Sequence, residues 1–345
     1  MEHRNLTTLC YLEQEDSYLM LHRIKKRQDM NQDKWLGVGG HFKEGESPEE
    51  CLLREVKEET GLTLTSLRLR GIVTFVSDQY PDEYMFLYTA DGFEGTMLEC
   101  PEGKLEWVNK EKVNELNLWE GDRIFFELLK DEIPCFSLKL VYSGERLTEA
   151  ALNGRALELL DERTLSGETT GRVRVRFMMH RDGMLHGTSH VWIVRPNEKS
   201  GFDLLLQKRS QEKDAYPGCY DISSAGHIPA GCDYLESAVR ELYEELGILA
   251  KPEELDYIGL HEEAEQDVFY GRTFCNHEIS RVYGYTKRVE EKHLVLQKEE
   301  VESVCWMDYE ECLKGMEDGT LVNCLNRKEL EMLARWWKSK NHAEG

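Results

Sequence analysis

Hydrophobic positions recur along this chain with two different periods. Runs at Leu6 to Leu12, Tyr18 to His22, Leu67 to Val76, Tyr84 to Ala90, Lys104 to Val108 and Phe136 to Tyr142 predict strands. Ser47 to Gly61 and Asp122 to Leu129 carry the helical period instead. The first of these helices is well specified locally. Ser47 suits the N-cap, Pro48 the first helical position and Glu50 a capping box, while Gly61 can take the left-handed geometry that ends a helix. At about 100° per residue, Glu55, Glu58 and Glu59 share one sector and Leu52, Leu53 and Val56 the neighbouring one. One side is therefore predicted to pack and the other to hold a cation.

The second half follows a similar plan. Arg172 to Met179 opens it, followed by a strand at His190 to Val194, the run Leu204 to Lys208 and a helix whose start is marked by Asp233 and Glu236. Mixed strands around few helices predict an α+β sandwich in each half. Between the halves, the composition of Ser143 to Gly171 suits a helical connector and a surface loop. The expected domains are 1–153 and 154–345.

Composition narrows the function more than the fold. A chain of 345 residues is long for one core and suits two. A formal charge of −23 argues against a nucleic-acid polymer as partner, since a polyanion would be repelled without a dense basic face. Small polyphosphates with divalent cations remain compatible with that charge. No run is long and apolar enough for a membrane span, and MEHRNLTTLC shows no signal-peptide pattern. A cytoplasmic protein without a membrane partner is expected. The 10 cysteines form no CxxC pair and no zinc spacing, as expected of reduced thiols.

Three carboxylates at i, i+3 and i+4 repel one another on an ordinary helix, and a solvated acidic face is the simplest reading of such a trio. Here Gly40, Glu46, Arg54, Val56, Gly61 and Leu62 stand around them at fixed offsets. The array resembles the Nudix box of the MutT family, G-x5-E-x7-R-E-U-x-E-E-x-G-U with U aliphatic. The spacing returns at Gly226, Arg240, Glu241, Leu242, Glu244, Glu245, Gly247 and Ile248, with Cys232 where the first array has Glu46. Two boxes imply two Nudix-type α/β/α sandwiches, each with a mixed sheet and a loop-helix-loop metal site.

Phosphoanhydrides resist water because their oxygens are negative, so hydrolysis needs bridging cations and a positioned water. Clustered glutamates and a backbone carbonyl at Gly39 suit Mg²⁺, with Mn²⁺ as an alternative. Arg54 is expected to pair with a box carboxylate and Glu46 to hold the loop. From Asn5 to Gly144 the chain resembles 8-oxo-dGTP diphosphatases through WLGVGG, EGKLEW and NLWEGD. That resemblance implies metal binding by Glu58 or Glu59, with Glu102 joining, and a general base among Glu55, Glu59 and Glu102. It also implies that Trp119 stacks on a purine and that Asp122 reads its edge. Leu36 and Gly121 depart from residues that some of those enzymes use on the base. Lys25, with Lys26 and Arg27, is a candidate phosphate contact.

From Leu159 to Lys340 the chain resembles the isopentenyl-diphosphate-isomerase-like Nudix branch through LHGTSHVWIV, LLLQKRS, YPGCYDISSAGH and RELYEELGI. Ala225 stands where true isomerases carry a catalytic cysteine, and a methyl group cannot shuttle protons. Cys219 and Cys232 are the nearest thiols in sequence. His180, His186 and His227 fall near the isomerases' metal-binding histidines, and Glu278 near one of their acids. The resemblance further implies metal binding by Glu241, Glu244 and Glu245, with Glu299 or Glu300 as an added ligand. Lys208, Arg209 and Lys213 are candidate phosphate contacts. The expected function is Mg²⁺-dependent hydrolysis of nucleoside triphosphates by the first domain and of an unidentified diphosphate by the second, or sensing of such a ligand.

Overall fold

The computed structural model describes residues 5–25, 30–213, 215–269 and 272–343. Lys26 and Arg27 lie outside them. The chain divides into two compact units, 1–159 and 160–345, a few residues beyond the expected boundary.

The first unit runs β1 (Asn5–Gln14), β2 (Ser17–His22), β3 (Trp35–Leu36), α1 (Pro48–Thr60), β4 (Thr63–Leu64), β5 (Arg68–Ser77), β6 (Glu83–Ala90), β7 (Phe93–Glu94), β8 (Lys104–Asn109), α2 (Asp122–Lys130), β9 (Phe136–Ser143), β10 (Arg146–Leu152) and β11 (Arg155–Ala156). Its main sheet is mixed: β1 runs parallel to β6 and β5 parallel to β9, while β5 and β6 are antiparallel. The start of α1 is fixed by a complete capping box between Ser47 and Glu50, and Gly61 ends it at φ 77°. Leu52 and Val56 bury one side of α1 against Cys10, Leu12 and Tyr88, and Cys51 is buried beside Thr8. Each fully buried aliphatic side chain contributes about 1.5–3 kcal/mol, so this seam anchors the helix to the sheet. Leu53, expected on the packed side, is exposed, because the buried stripe runs through Cys51 instead.

The expected helical connector is corrected. Gly144 takes φ 59° in a tight turn, and β10 folds back on β9 with register Arg146↔Ser143 to Leu152↔Leu138. Leu147 and Ala150 are both buried although they are three residues apart, because a bulge between Leu147 and Glu149 shifts the register.

The second unit runs β12 (Leu159–Arg163), β13 (Thr169–Val175), α3 (Arg176–Asp182), β14 (His186–Pro196), β15 (Phe202–Arg209), β16 (Tyr220–Asp221), β17 (Ser224–His227), α4 (Tyr234–Leu246), β18 (Leu255–Phe269), β19 (Arg272–Tyr285), β20 (Val301–Asp308), α5 (Tyr309–Asp318) and α6 (Arg327–Ala343). Its sheet is also mixed, with β14 parallel to β19 and antiparallel to β15 and β17. Ala238, Leu242 and Leu246 of α4 pack on Val191, Ile193 and Leu205. The ten cysteines are all free thiols. Among the described residues no helix is long and apolar enough to cross a membrane.

Candidate metal and nucleotide sites

In the first unit, the loop before α1 crosses β1, where Thr8 N–H donates to the Gly40 carbonyl at 2.9 Å. A Cβ at Gly39 would lie 2.0 Å from the Thr8 carbonyl oxygen, so only glycine allows the crossing. Gly39 N–H then donates to Glu59 Oε2 at 2.9 Å. Beside it, a Cβ at Gly40 would lie 2.5 Å from the Glu55 carboxyl carbon, so the missing side chain is where that carboxylate rests.

The three box glutamates have different surroundings. Glu59 is 6% exposed, and burial, reinforced by the Glu102 and Glu55 charges, pushes its carboxyl up to about 8 against the Gly39 bond. Glu58 is 55% exposed and reaches Arg54 and Lys43. Arg54 bonds Glu55, spans Glu46 with contacts of 2.6 and 2.8 Å, and donates to the His41 carbonyl at 3.0 Å. Glu46 also accepts from Lys43 N–H at 2.8 Å, and the Arg54 bonds hold its carboxyl down at about 2. Glu102 joins the group from the turn before β8, ion-paired with Arg23. Glu55 and Glu59 thus flank the Gly39–Gly40 turn, with the Glu102 charge acting on Glu59, and carboxylate oxygens are the ligand type a hard divalent cation takes.

The second unit repeats this frame. Ala225 N–H donates to Glu245 Oε2 at 3.3 Å, and Gly226 leaves the space where the Glu241 carboxylate sits. Glu245 is 3% exposed; burial, with Glu241 nearby, pushes it up to about 8. Arg240 bonds Glu241 at 2.8 Å and reaches Glu244 at 3.6 Å, but Cys232 offers it no carboxylate corresponding to Glu46. The candidate phosphate contacts here each hold a carboxylate: Lys208 bonds Glu302, Arg209 bonds Asp221 and Lys213 bonds Glu300. A phosphate would compete with those acids. Lys213, the partner of Glu300, also acts on Glu245. In the first unit Lys25 donates to the Cys100 carbonyl at 2.7 Å.

His180, His186 and His227 converge from α3, β14 and β17, with ring nitrogens within 4.8 Å of one another. His186 Nδ1 faces the Met184 carbonyl at 3.0 Å, while its Nε2 and both His180 nitrogens are buried without a hydrogen-bond partner. Burial pushes His180 down to about 3 and His186 to about 4, and lowers His227 as well. Neutral imidazole nitrogens are the donor type that a borderline transition metal takes. Arg176, four residues before His180, acts on all three rings and was not legible as a site residue. Glu278 does not join the trio; it lies 3.7 Å from His190, whose Nδ1 meets Glu329 at 2.9 Å. Neither Cys219 nor Cys232 takes the place of Ala225, which pairs in register with His190.

Trp119 is buried at the foot of α2. Its indole N–H donates to Asn31 Oδ1 at 2.7 Å, and Phe75 and Tyr142 pack edgewise on it. Asp122 is 5% exposed, its Oδ2 has no hydrogen-bond partner, and burial pushes its carboxyl up to about 7 against the Arg123 and Lys34 charges. A raised carboxyl stabilises the fold fully below its unfolded value near 3.8, and that contribution is lost as pH rises through about 7. Asp122→Asn is therefore expected to melt above wild type on the alkaline side of this window and to lose that advantage on the acid side. Thermal melts across the window check this; a difference independent of pH would mean that Asp122 is not desolvated.

Comparison with known proteins agrees with the repeated frame. A NUDIX domain model matches residues 3–129 and 184–323. Nudix hydrolase 3 of Arabidopsis thaliana is 43% identical over 158 residues, 45% of this chain and 20% of that protein. An uncharacterized Nudix hydrolase of Clostridium acetobutylicum is 36% identical over 140 residues, 41% of this chain and 65% of that protein. The matched stretches thus span a fifth of the first relative and just under two thirds of the second. The oxidized purine nucleoside triphosphate hydrolase of Mus musculus is 30% identical over 105 residues, 30% of this chain and 67% of that enzyme. Among solved structures, a MutT protein of Bacillus halodurans is 31% identical with a TM-score of 0.39, covering 43% of this chain and 97% of that one.

Proposed function

Since this chain belongs to the Nudix family, we propose that its first unit hydrolyses nucleoside triphosphates to the monophosphate and pyrophosphate, and its second unit hydrolyses another diphosphate. The observation that carries this reading is the placement of Glu59 and Glu55 at the turn before α1, Glu59 by a backbone N–H bond from Gly39 and Glu55 in the space left by the missing Cβ of Gly40, with the Glu102 charge acting on Glu59. These residues fit Mg²⁺. When bound, the cation neutralises polyphosphate oxygens and activates a water. The chain's own part is to hold the carboxylates still: Arg54 orients Glu55, Arg23 restrains Glu102 and Gly39 fixes Glu59. The general base lies among Glu55, Glu59 and Glu102. The name of the mouse relative favours a purine triphosphate, with Trp119 and Asp122 as the base-contacting pair.

In the second unit, Glu241 and Glu245 fit the same role, with Glu244 at the exposed edge. The histidine trio favours an additional nitrogen-bound cation such as Zn²⁺, held by the rings of His180, His186 and His227. Isomerase chemistry is disfavoured by the methyl group of Ala225. A non-catalytic sensing unit is the second reading, favoured by Cys232, which leaves Arg240 without the brace that Glu46 gives Arg54.

The full chain should be assayed with Mg²⁺ against nucleoside di- and triphosphates, ADP-ribose, dinucleotides and isopentenyl diphosphate, with products read by phosphorus NMR. Monophosphate and pyrophosphate are expected from triphosphates, with activity lost in Glu59→Gln and kept in Glu245→Gln. No deuterium is expected to enter isopentenyl diphosphate from D₂O. Failure of every triphosphate would sink the first assignment, and deuterium incorporation lost in Glu241→Gln would restore the isomerase.

A further inference from the structure

In the first unit Glu46 does two things from inside the box: it accepts the Lys43 backbone N–H of its own loop and it grips Arg54. Cys232 stands at the corresponding place in the second unit without a carboxylate to do either, yet its loop is held. Asp161 of β12, 2% exposed, accepts Gly231 N–H with Oδ2 at 2.8 Å, on the residue just before Cys232. Two residues on, and so on the same face of the strand, Arg163 donates to the Cys232 carbonyl at 3.4 Å. Its guanidinium lies 5.0 Å from the ring centre of Tyr234, the first residue of α4, and 3.7 Å from the Asp161 carboxylate. Just ahead of this pair, Leu160 forms a β-bridge with Pro229 of the same loop.

These contacts fall on the stretch that sets the box carboxylates. At its start Ala225 N–H meets Glu245 and Gly226 makes room for Glu241; at its end begins α4, which carries both glutamates. A loop free to move at Gly231 and Cys232 would let one end of this frame drift from the other. A carboxylate on a backbone N–H is a charge-assisted bond, and in a buried place its loss leaves the N–H unpaired. We propose that Asp161, with Arg163, is a positioning residue of the second unit's box: a strand 70 residues earlier in the chain supplies the carboxylate that Glu46 supplies from within in the first. This rests on the reading of Glu241 and Glu245 as cation ligands. The two braces are not equivalent. Glu46 fixes both loop and arginine, whereas Asp161 fixes the loop and leaves Arg240, 37% exposed against 17% for Arg54, on Glu241 and Glu244. A glutamate at position 232 would brace the loop from within, so it should make Asp161 dispensable.

The test uses the full chain with Mn²⁺ as the probe, counting as second-unit binding the part that Glu245→Gln abolishes. Asp161→Ala should weaken that part by about tenfold or more, the scale of losing a group that orients a metal ligand. It should also speed amide exchange across residues 226–232 by about tenfold, the upper scale of one hydrogen bond, while β15 and α6 keep their protection. Asp161→Asn, whose amide oxygen can still accept Gly231 N–H, should stay near wild type in both readouts. Cys232→Glu added to Asp161→Ala should restore both. Unchanged Mn²⁺ affinity in a folded Asp161→Ala overturns the inference, as does protection lost evenly over the whole unit, which marks a merely structural residue. A double variant that does not recover the affinity, or the fold where Asp161→Ala has lost it, overturns it too. Absence of Mn²⁺ binding sensitive to Glu245→Gln overturns the parent reading, and this inference with it.

Discussion

Glu59→Gln is expected to lower first-unit turnover by more than about a hundredfold while the fold holds or gains stability. Losing a partner that merely orients a metal ligand costs about 10–100-fold, and Glu59 is proposed as a ligand itself. The stability side follows from burial. Without a cation the folded carboxyl lies near 8 against 4.5 in a free chain, so its stabilising contribution is full below 4.5 and lost as pH rises through about 8. The metal-free variant should therefore melt above wild type at alkaline pH, and Mg²⁺ should close the gap by raising wild type alone. Glu58→Gln should cost less than Glu59→Gln, because Glu58 is half in solvent and shares Arg54 with Glu46 and Glu55. Paired kinetics and melts of the two variants check this; equal losses, or full activity of Glu59→Gln at saturating Mg²⁺, would remove Glu59 from the metal set.

Gly40→Ala should separate activity from stability in another way. Its new methyl would fall 2.5 Å from the Glu55 carboxyl carbon, far inside contact distance. What it meets is the end of a flexible side chain, so the clash is relieved by moving the carboxylate and the fold is largely spared. Displacement of a reacting group by about 1 Å can cost about a hundredfold in rate. Gly40→Ala is expected to fall to that extent in kcat, with a melting temperature near wild type and Arg54 still bonded to Glu46. The corresponding Gly226→Ala meets the Glu241 carboxylate in the second unit, so an activity confined to one unit should respond to only one of the two changes. A folded Gly40→Ala with normal kcat would mean that the position of Glu55 does not matter to the chemistry.

Strands β1, β2, β5, β6, β8, β9, β14 and β15 were legible because alternation and apolar runs are local properties, and α1 because its cap, its first proline and its terminal glycine all lie within its own sequence; the long pair β18 and β19 was not. The segment after Gly144 was not, since its apolar residues gain their period only by pairing with β9. Trp119 was legible as an aromatic three residues before Asp122, but its burial under Lys34 and its bond to Asn31 join residues far apart in the chain. The same holds for Lys208, Arg209 and Lys213, whose acid partners lie on β16, β20 or the turn before β20.

By itself the sequence determined that two glutamate helices exist, each behind a glycine turn at the same spacing, since covalent spacing on a regular helix fixes which side chains share a sector. Tertiary structure decided which of those glutamates is buried. Glu59 and Glu245 differ from Glu58 and Glu244 because a backbone N–H of the preceding loop meets one carboxylate of each pair and solvent meets the other. It also brought His180, His186 and His227 together from three elements. Such convergence depends on how strands and helices stack through nonlocal burial, and burial of one residue by distant ones leaves no periodic trace along the chain.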